Sequence, residues 1–173
     1  MPGSGLLYDV RLALVVLCLL AVPWLVPSCI SGVVSKENVA AVGVQEVRMG
    51  RGVARFSVPG GFRRSLATNR DFRLFERGSQ RIGVRIVSGV RDPEAAALRY
   101  VHDRIEHARI DAPLRDARFQ GYRCRIVREL SEEGECMVVI HRNYLVAVTS
   151  TTTDASPPID IEDVMRNLRV VQE

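Results

Sequence analysis

The chain has 173 residues, 47% of them apolar and 25% charged, with a formal net charge of +4 carried almost wholly by arginine, since Lys36 is the only lysine. Aromatics make up 6% and the only tryptophan, Trp24, lies in an apolar leader, so stacking platforms for nucleic acid or sugar are scarce. No repeat or low-complexity tract is present, and the roughly 140 residues after the leader suit one domain with one core.

The uncharged stretch from Leu12 to Ser35 follows Arg11 and precedes Lys36. It admits three readings. One is a secretory signal peptide, with Leu12 to Val26 as the apolar core and Val26 and Ser28 placed for a cut before Cys29; a cut after Ser31 is the variant. The second rests on the string V-P-S-C, which resembles a bacterial lipobox. That resemblance implies a diacylglycerol thioether on Cys29 and removal of residues 1–28, although Pro27 departs from the motif. The third is an uncleaved anchor, since about 20 apolar residues span a bilayer. All three place the rest of the chain outside the cytoplasm, in the periplasm or on an outer surface, associated with a membrane in the lipidated and anchored forms.

Residues 29–43 read as a tether and 44–173 as a single domain. VQEVRM and VARFSV form strands around Gly50-Arg51-Gly52, with Ala54, Phe56 and Val58 on one face. Pro59-Gly60-Gly61 ends this pair, and Phe62 to Arg70 reads as loop. Asp71 to Arg77 and Arg81 to Ser88 form the next two strands. Phe72 and Leu74 oppose Arg73, Phe75 and Arg77, while Ile82, Val84 and Ile86 point inward and Arg81 and Arg85 outward.

Asp92 and Pro93 open a helix, as N-cap and first helical residue. Its expected stripe is Leu98, Val101, Ile105 and Ala108, and it fades near Arg109. A three-strand meander follows. Phe119 to Arg128 alternates Tyr122, Cys124 and Ile126 against Arg123 and Arg125. Glu135 to His141 and Tyr144 to Ser150 are apolar on both faces, which places them centrally in a sheet covered on both sides and the arginine-faced strands nearer its edges. Arg142-Asn143 makes the hairpin turn, with Asn143 expected at positive φ. Asp160 or Ser156 caps a last helix with the stripe Ile161, Val164, Met165 and Leu168.

The expected fold is therefore α+β, an antiparallel sheet of about six or seven strands with two helices. The opening RFSVPGGF, the helix between strands, and the meander GYRCRIV to ECMVVIHRNYLVAV before a terminal helix resemble the PsbP-like fold and the DcrB-type envelope lipoproteins. The resemblance spans roughly 44–170 and implies an α/β/α sandwich with a binding or assembly role in an exported protein. It carries over no functional residue.

Chemistry is sparse in the sequence. His102 and His107 are five apart, against the four a zinc helix needs, so neither a metal nor a cofactor is expected. His141 has no evident partner. No nucleophile elbow, P-loop or dinucleotide fingerprint is present, so the chain is read as no enzyme. Export favours a disulfide between Cys124 and Cys136, which fall on neighbouring strands and one apolar face, against two buried thiols.

Charge is uneven: Arg48 to Arg91 holds eleven arginines against Asp71 and Glu76, and from Asp92 onward fifteen acids face eleven arginines. Alternation puts Arg55, Arg73, Arg77, Arg81, Arg85, Arg123 and Arg125 on outward faces, a candidate basic surface for anionic lipid or an acidic envelope partner. The alternative is that acids such as Glu76, Glu129, Glu132 and Glu133 neutralise it. The function expected is a non-catalytic binding or assembly module of the bacterial envelope, a lipoprotein. An exported lipid- or small-molecule-binding protein and, behind it, an exported enzyme are the alternatives.

Overall fold

The computed structural model describes residues 39–66, 68–115, 118–127, 133–154 and 156–173. The expected leader, Cys29 and the tether up to residue 38 lie outside the described residues, as do Glu129 and Glu132. Asn38–Glu173 forms one compact unit.

The elements run β1 (Val39–Ala40), β2 (Val44–Met49), β3 (Gly52–Ser57), β4 (Arg63–Arg64), β5 (Phe72–Arg77), β6 (Gln80–Val87), α1 (Pro93–Arg104), β7 (Ala108–Arg115), β8 (Gln120–Val127), β9 (Glu133–His141), β10 (Tyr144–Thr152), α2 (Ile161–Arg166) and β11 (Arg169–Gln172). They build a mostly-β α+β fold with two sheets where one was expected. The larger sheet has eight strands in the order β1-β4-β5-β6-β10-β9-β8-β7, and the smaller has three in the order β11-β3-β2. Every pairing is antiparallel.

The centre of the large sheet follows from its residue types. β9 and β10 are buried on both faces, and Val138, Val139, Val146 and Val148 are fully removed from water. Each such side chain contributes about 1.5–3 kcal/mol on burial. On one face Val84, Ile86, Val146 and Val148 meet α2 and the small sheet, with the Phe56 and Phe75 rings edge to face at 5.8 Å. On the other face Cys136, Val138 and Leu145 meet Ala97, Val101 and Ile105 of α1 and its end. Cys124 and Cys136 stand directly opposite in the β8–β9 register, and a disulfide joins them with Cα atoms 4.9 Å apart.

The Asp92 carboxylate accepts the Ala95 amide at 3.2 Å, and Pro93 is the first helical residue. The buried stripe is Ala97, Val101 and Ile105; Leu98 is 40% exposed and lies outside it. The helix ends at Arg104, earlier than expected, and His107 takes φ 59° as the chain turns into β7. The last helix likewise stops at Arg166, short of Leu168, and leads into β11. At the β9–β10 hairpin the positive φ falls on Arg142, at 55°, and not on Asn143. A single positive φ at the first central residue is the type II′ solution.

Three segments not expected as strands are strands. Val39 and Ala40 pair with Arg64 and Arg63, which extends the large sheet into the expected tether and the expected 62–70 loop. Ala108 to Arg115 is an edge strand paired with β8. Pro113 is tolerated there because an edge strand can spare an amide donor.

Candidate functional site

Helix α1 packs mainly on β7, β8, β9 and β10. Half of that sheet face is covered and half is open. Where the cover ends, a groove of about 360 Å³ runs between the sheet and the C-terminal turn of the helix. Its floor comes from Leu74, Gly83, Ala147, Thr149 and Thr151, and its walls from Tyr100, Arg104 and Ile105 at the helix end and from Arg81, Arg85 and Phe72 on the strands.

Strand alternation explains the composition. β6 sends Ile82, Val84 and Ile86 into the core, so Arg81, Gly83 and Arg85 take the helix-side face. The register sets Phe72 opposite Arg85, Leu74 opposite Gly83 and Glu76 opposite Arg81. Gly83 matters by its missing side chain: a Cβ there would lie 2.7 Å from the Thr149 hydroxyl and 3.3 Å from the Phe72 ring. Phe72 can therefore lean across the floor, and the Arg85 guanidinium lies 4.6 Å from its ring centroid.

The groove's two strand arginines face carboxylates at long range, and Arg85 also meets the Tyr100 hydroxyl. Arg81 faces Glu76 at 3.7 Å and Arg85 faces Asp71 at 4.0 Å, both beyond hydrogen-bond length. The buried Nε of Arg85 has no hydrogen-bond partner among the described residues. Burial pushes the Tyr100 phenol up, and the neighbouring Arg85 guanidinium pulls it back in part. The arrangement can hold an anion between guanidiniums, accept hydroxyl contacts from Thr149 and Thr151, and cover a small apolar group.

The seven arginines of the expected basic surface do not lie together. Arg81 and Arg85 share the groove. Arg55 lies on the small sheet, 2.6 Å from Glu173 and 3.8 Å from Glu46. The opposite face of the large sheet carries the other four. Arg73 donates to the Asn69 carbonyl, and Arg77 donates to the Gly60 carbonyl at 2.8 Å and stacks on Phe62 at 4.6 Å. Arg123 pairs with Glu162, and Arg125 lies 3.6 Å from Asp111. β6 is interior to the sheet and not near its edge, so Arg81 and Arg85 are exposed by a short helix and not by an edge position.

Arg104, Tyr100, Thr149 and Thr151 belong to the site without being singled out in the sequence. Thr149 and Thr151 carry the only signal, the point where the apolar run of β10 gives way to Thr149-Ser150-Thr151-Thr152, polar on both faces. His102 and His107 are separated by the end of α1 and share no helical face. Among the described residues no group of three or more metal-ligating side chains occurs.

No family model matches the chain, and no curated protein matches it. Among solved structures it is similar to a protein of Bacteroides thetaiotaomicron, with 12% identity and a TM-score of 0.50 over 69% of this chain. The chain spans about half the length of that protein, 46%, and the likeness is one of fold.

Proposed function

We propose that the chain is a non-catalytic binding or assembly module of the bacterial cell envelope, a PsbP-like α/β/α domain held at the membrane by its leader or by a lipid on Cys29. The observation that carries the reading is the half-covered sheet. An apolar core supports an open face on which Arg81, Arg85 and Arg104 line one groove, the first two facing Glu76 and Asp71 beyond hydrogen-bond length. Arginine's planar fork suits carboxylate and phosphate, so such a face is made for an anionic partner.

Two further observations support the location. The Cys124–Cys136 disulfide fits an oxidising compartment. Val39, Val42 and Val44 are exposed at the end of the expected tether and the start of the domain, where apolar side chains near Arg63 and Arg64 suit an anionic membrane surface. The groove's 360 Å³ falls in the range of small-molecule sites and favours, as a second reading, an exported lipid- or small-molecule-binding protein.

The test is made in the native host. Cells are fractionated, their proteins denatured under alkylating conditions, and the tagged chain probed with a maleimide polymer before and after reduction. A photo-reactive residue at position 81 then reports what the groove meets. The reading expects the chain in the envelope fraction, thiols that react only after reduction, and adducts at position 81 but not at position 142. A cytosolic chain whose Cys124 and Cys136 react without reduction would overturn it.

A further inference from the structure

The geometry points to the groove as a binding site for a phosphate ester carrying a short apolar group. This rests on the binding-module reading and names the ligand class for it. The lining holds three guanidiniums, Arg81, Arg85 and Arg104, and one carboxylate, Glu106, while Glu76 and Asp71 stand 3.7 and 4.0 Å from Arg81 and Arg85 and balance part of their charge. A phosphomonoester carries about −1.5 to −2 near neutral pH and three acceptor oxygens. A carboxylate brings one negative charge and two oxygens; a phosphate monoester brings more charge and three oxygens, and so matches a group of three guanidiniums better.

The positions suit this division of labour. Arg85 lies against the Phe72 ring, which holds the guanidinium plane, with the Tyr100 hydroxyl beside it. Its buried Nε faces Asp71 at 4.0 Å without a hydrogen bond, so the terminal nitrogens are the part of the guanidinium that can meet a ligand. Arg104 sits exposed at the end of α1 and makes no ion pair or hydrogen bond among the described residues, so it can swing over the opening. Thr149 and Thr151 offer hydroxyls on the floor. Leu74, Ile105, Ile126 and Ala147 offer an apolar wall for a hydrocarbon stem. Glu76 and Asp71 stand behind Arg81 and Arg85 at 3.7 and 4.0 Å and orient them without occupying their donors.

Calorimetric titration of the full chain in an uncharged maltoside detergent tests the site, with hexyl phosphate as the probe. Saturable one-site binding is expected, weaker for inorganic phosphate and absent for hexyltrimethylammonium. Arg85→Ala and Arg104→Ala should each weaken hexyl phosphate by about tenfold or more, the loss of one charge-assisted hydrogen bond. Arg104→Ala lies outside the core, so its effect does not depend on folding. Arg55→Ala, on the small sheet, should leave the affinity unchanged. Vesicles containing phosphatidate that compete with hexyl phosphate identify a lipid source, and vesicles that do not compete identify a free phosphate ester; either result upholds the site. No saturable binding, or an equal loss in Arg55→Ala, overturns it. If hexyl phosphate fails while the chain still fractionates with the envelope and its disulfide is intact, the ligand class falls and the binding module stands.

Discussion

At the residue scale, Asp154 organises the loop after β10. Its carboxylate accepts the Thr152 hydroxyl and the Ser156 amide, each at 2.9 Å. Hydrogen bonds from the Ser79 hydroxyl first, then from Ser156 and Thr152, hold its carboxyl well below the usual carboxylate range. A depressed folded value means the stabilisation is present above the unfolded value, about 3.9, and is lost as pH falls through the folded value. Carbon NMR titration should therefore find Asp154 still ionised well below that point, and a midpoint at about 3.9 would contradict the hydrogen-bond account. Gly52 is a second residue whose role is readable. A Cβ there would lie 2.3 Å from the ring of Tyr144, which is buried. Gly52→Ala should cost about 1–3 kcal/mol in a denaturant titration, because an aromatic ring cannot bend away as a flexible chain can. The sequence marks Gly52 only as part of a turn; its contact with a residue 92 positions later is invisible without the fold. The positive φ at Arg142 was equally hidden, since nothing in Arg142-Asn143 alone favours arginine over asparagine there.

At the element scale, legibility followed burial. β3, β6, β8, β9 and β10 were readable because each buries at least one face, which imposes period-two or continuous apolar patterns. β7 was not, because most of its residues are exposed and its string ARIDAPLR follows a helix. β1, β4 and β11 are two, two and four residues long, too short for any periodicity. Tertiary pairing makes them strands, not local pattern. The groove was legible in part: alternation placed Arg81 and Arg85 on one face, but how far α1 covers that face depends on where the helix stops. The same helix lies over the Cys124–Cys136 disulfide, both of whose residues are buried, and the bond pins β8 to β9 at a directly opposed pair. Cys124→Ala with Cys136→Ala should lower stability by about 3 kcal/mol for a loop of this length. Equal unfolding midpoints for oxidised and reduced protein would show that strand pairing alone fixes this region.

At the scale of the whole molecule, the arginines fall into distinct settings. Arg55, Arg123 and Arg125 lie beside carboxylates, Arg73 and Arg77 donate to main-chain carbonyls, and Arg81 and Arg85 meet theirs at longer range beside Arg104. A broad basic surface thus gives way to one groove on a stiff scaffold. Among the described residues no helix is long and apolar enough to cross a membrane, so in this account attachment rests on the leader, outside them. The central claim joins an exported, tethered chain to a disulfide-pinned binding face, and intact-mass spectrometry of unreduced protein from the native host tests it most directly. The account predicts a chain beginning at Cys29, heavier by a diacylglycerol modification and lighter by the two hydrogens of the Cys124–Cys136 bond. A full-length mass with both thiols free would contradict it.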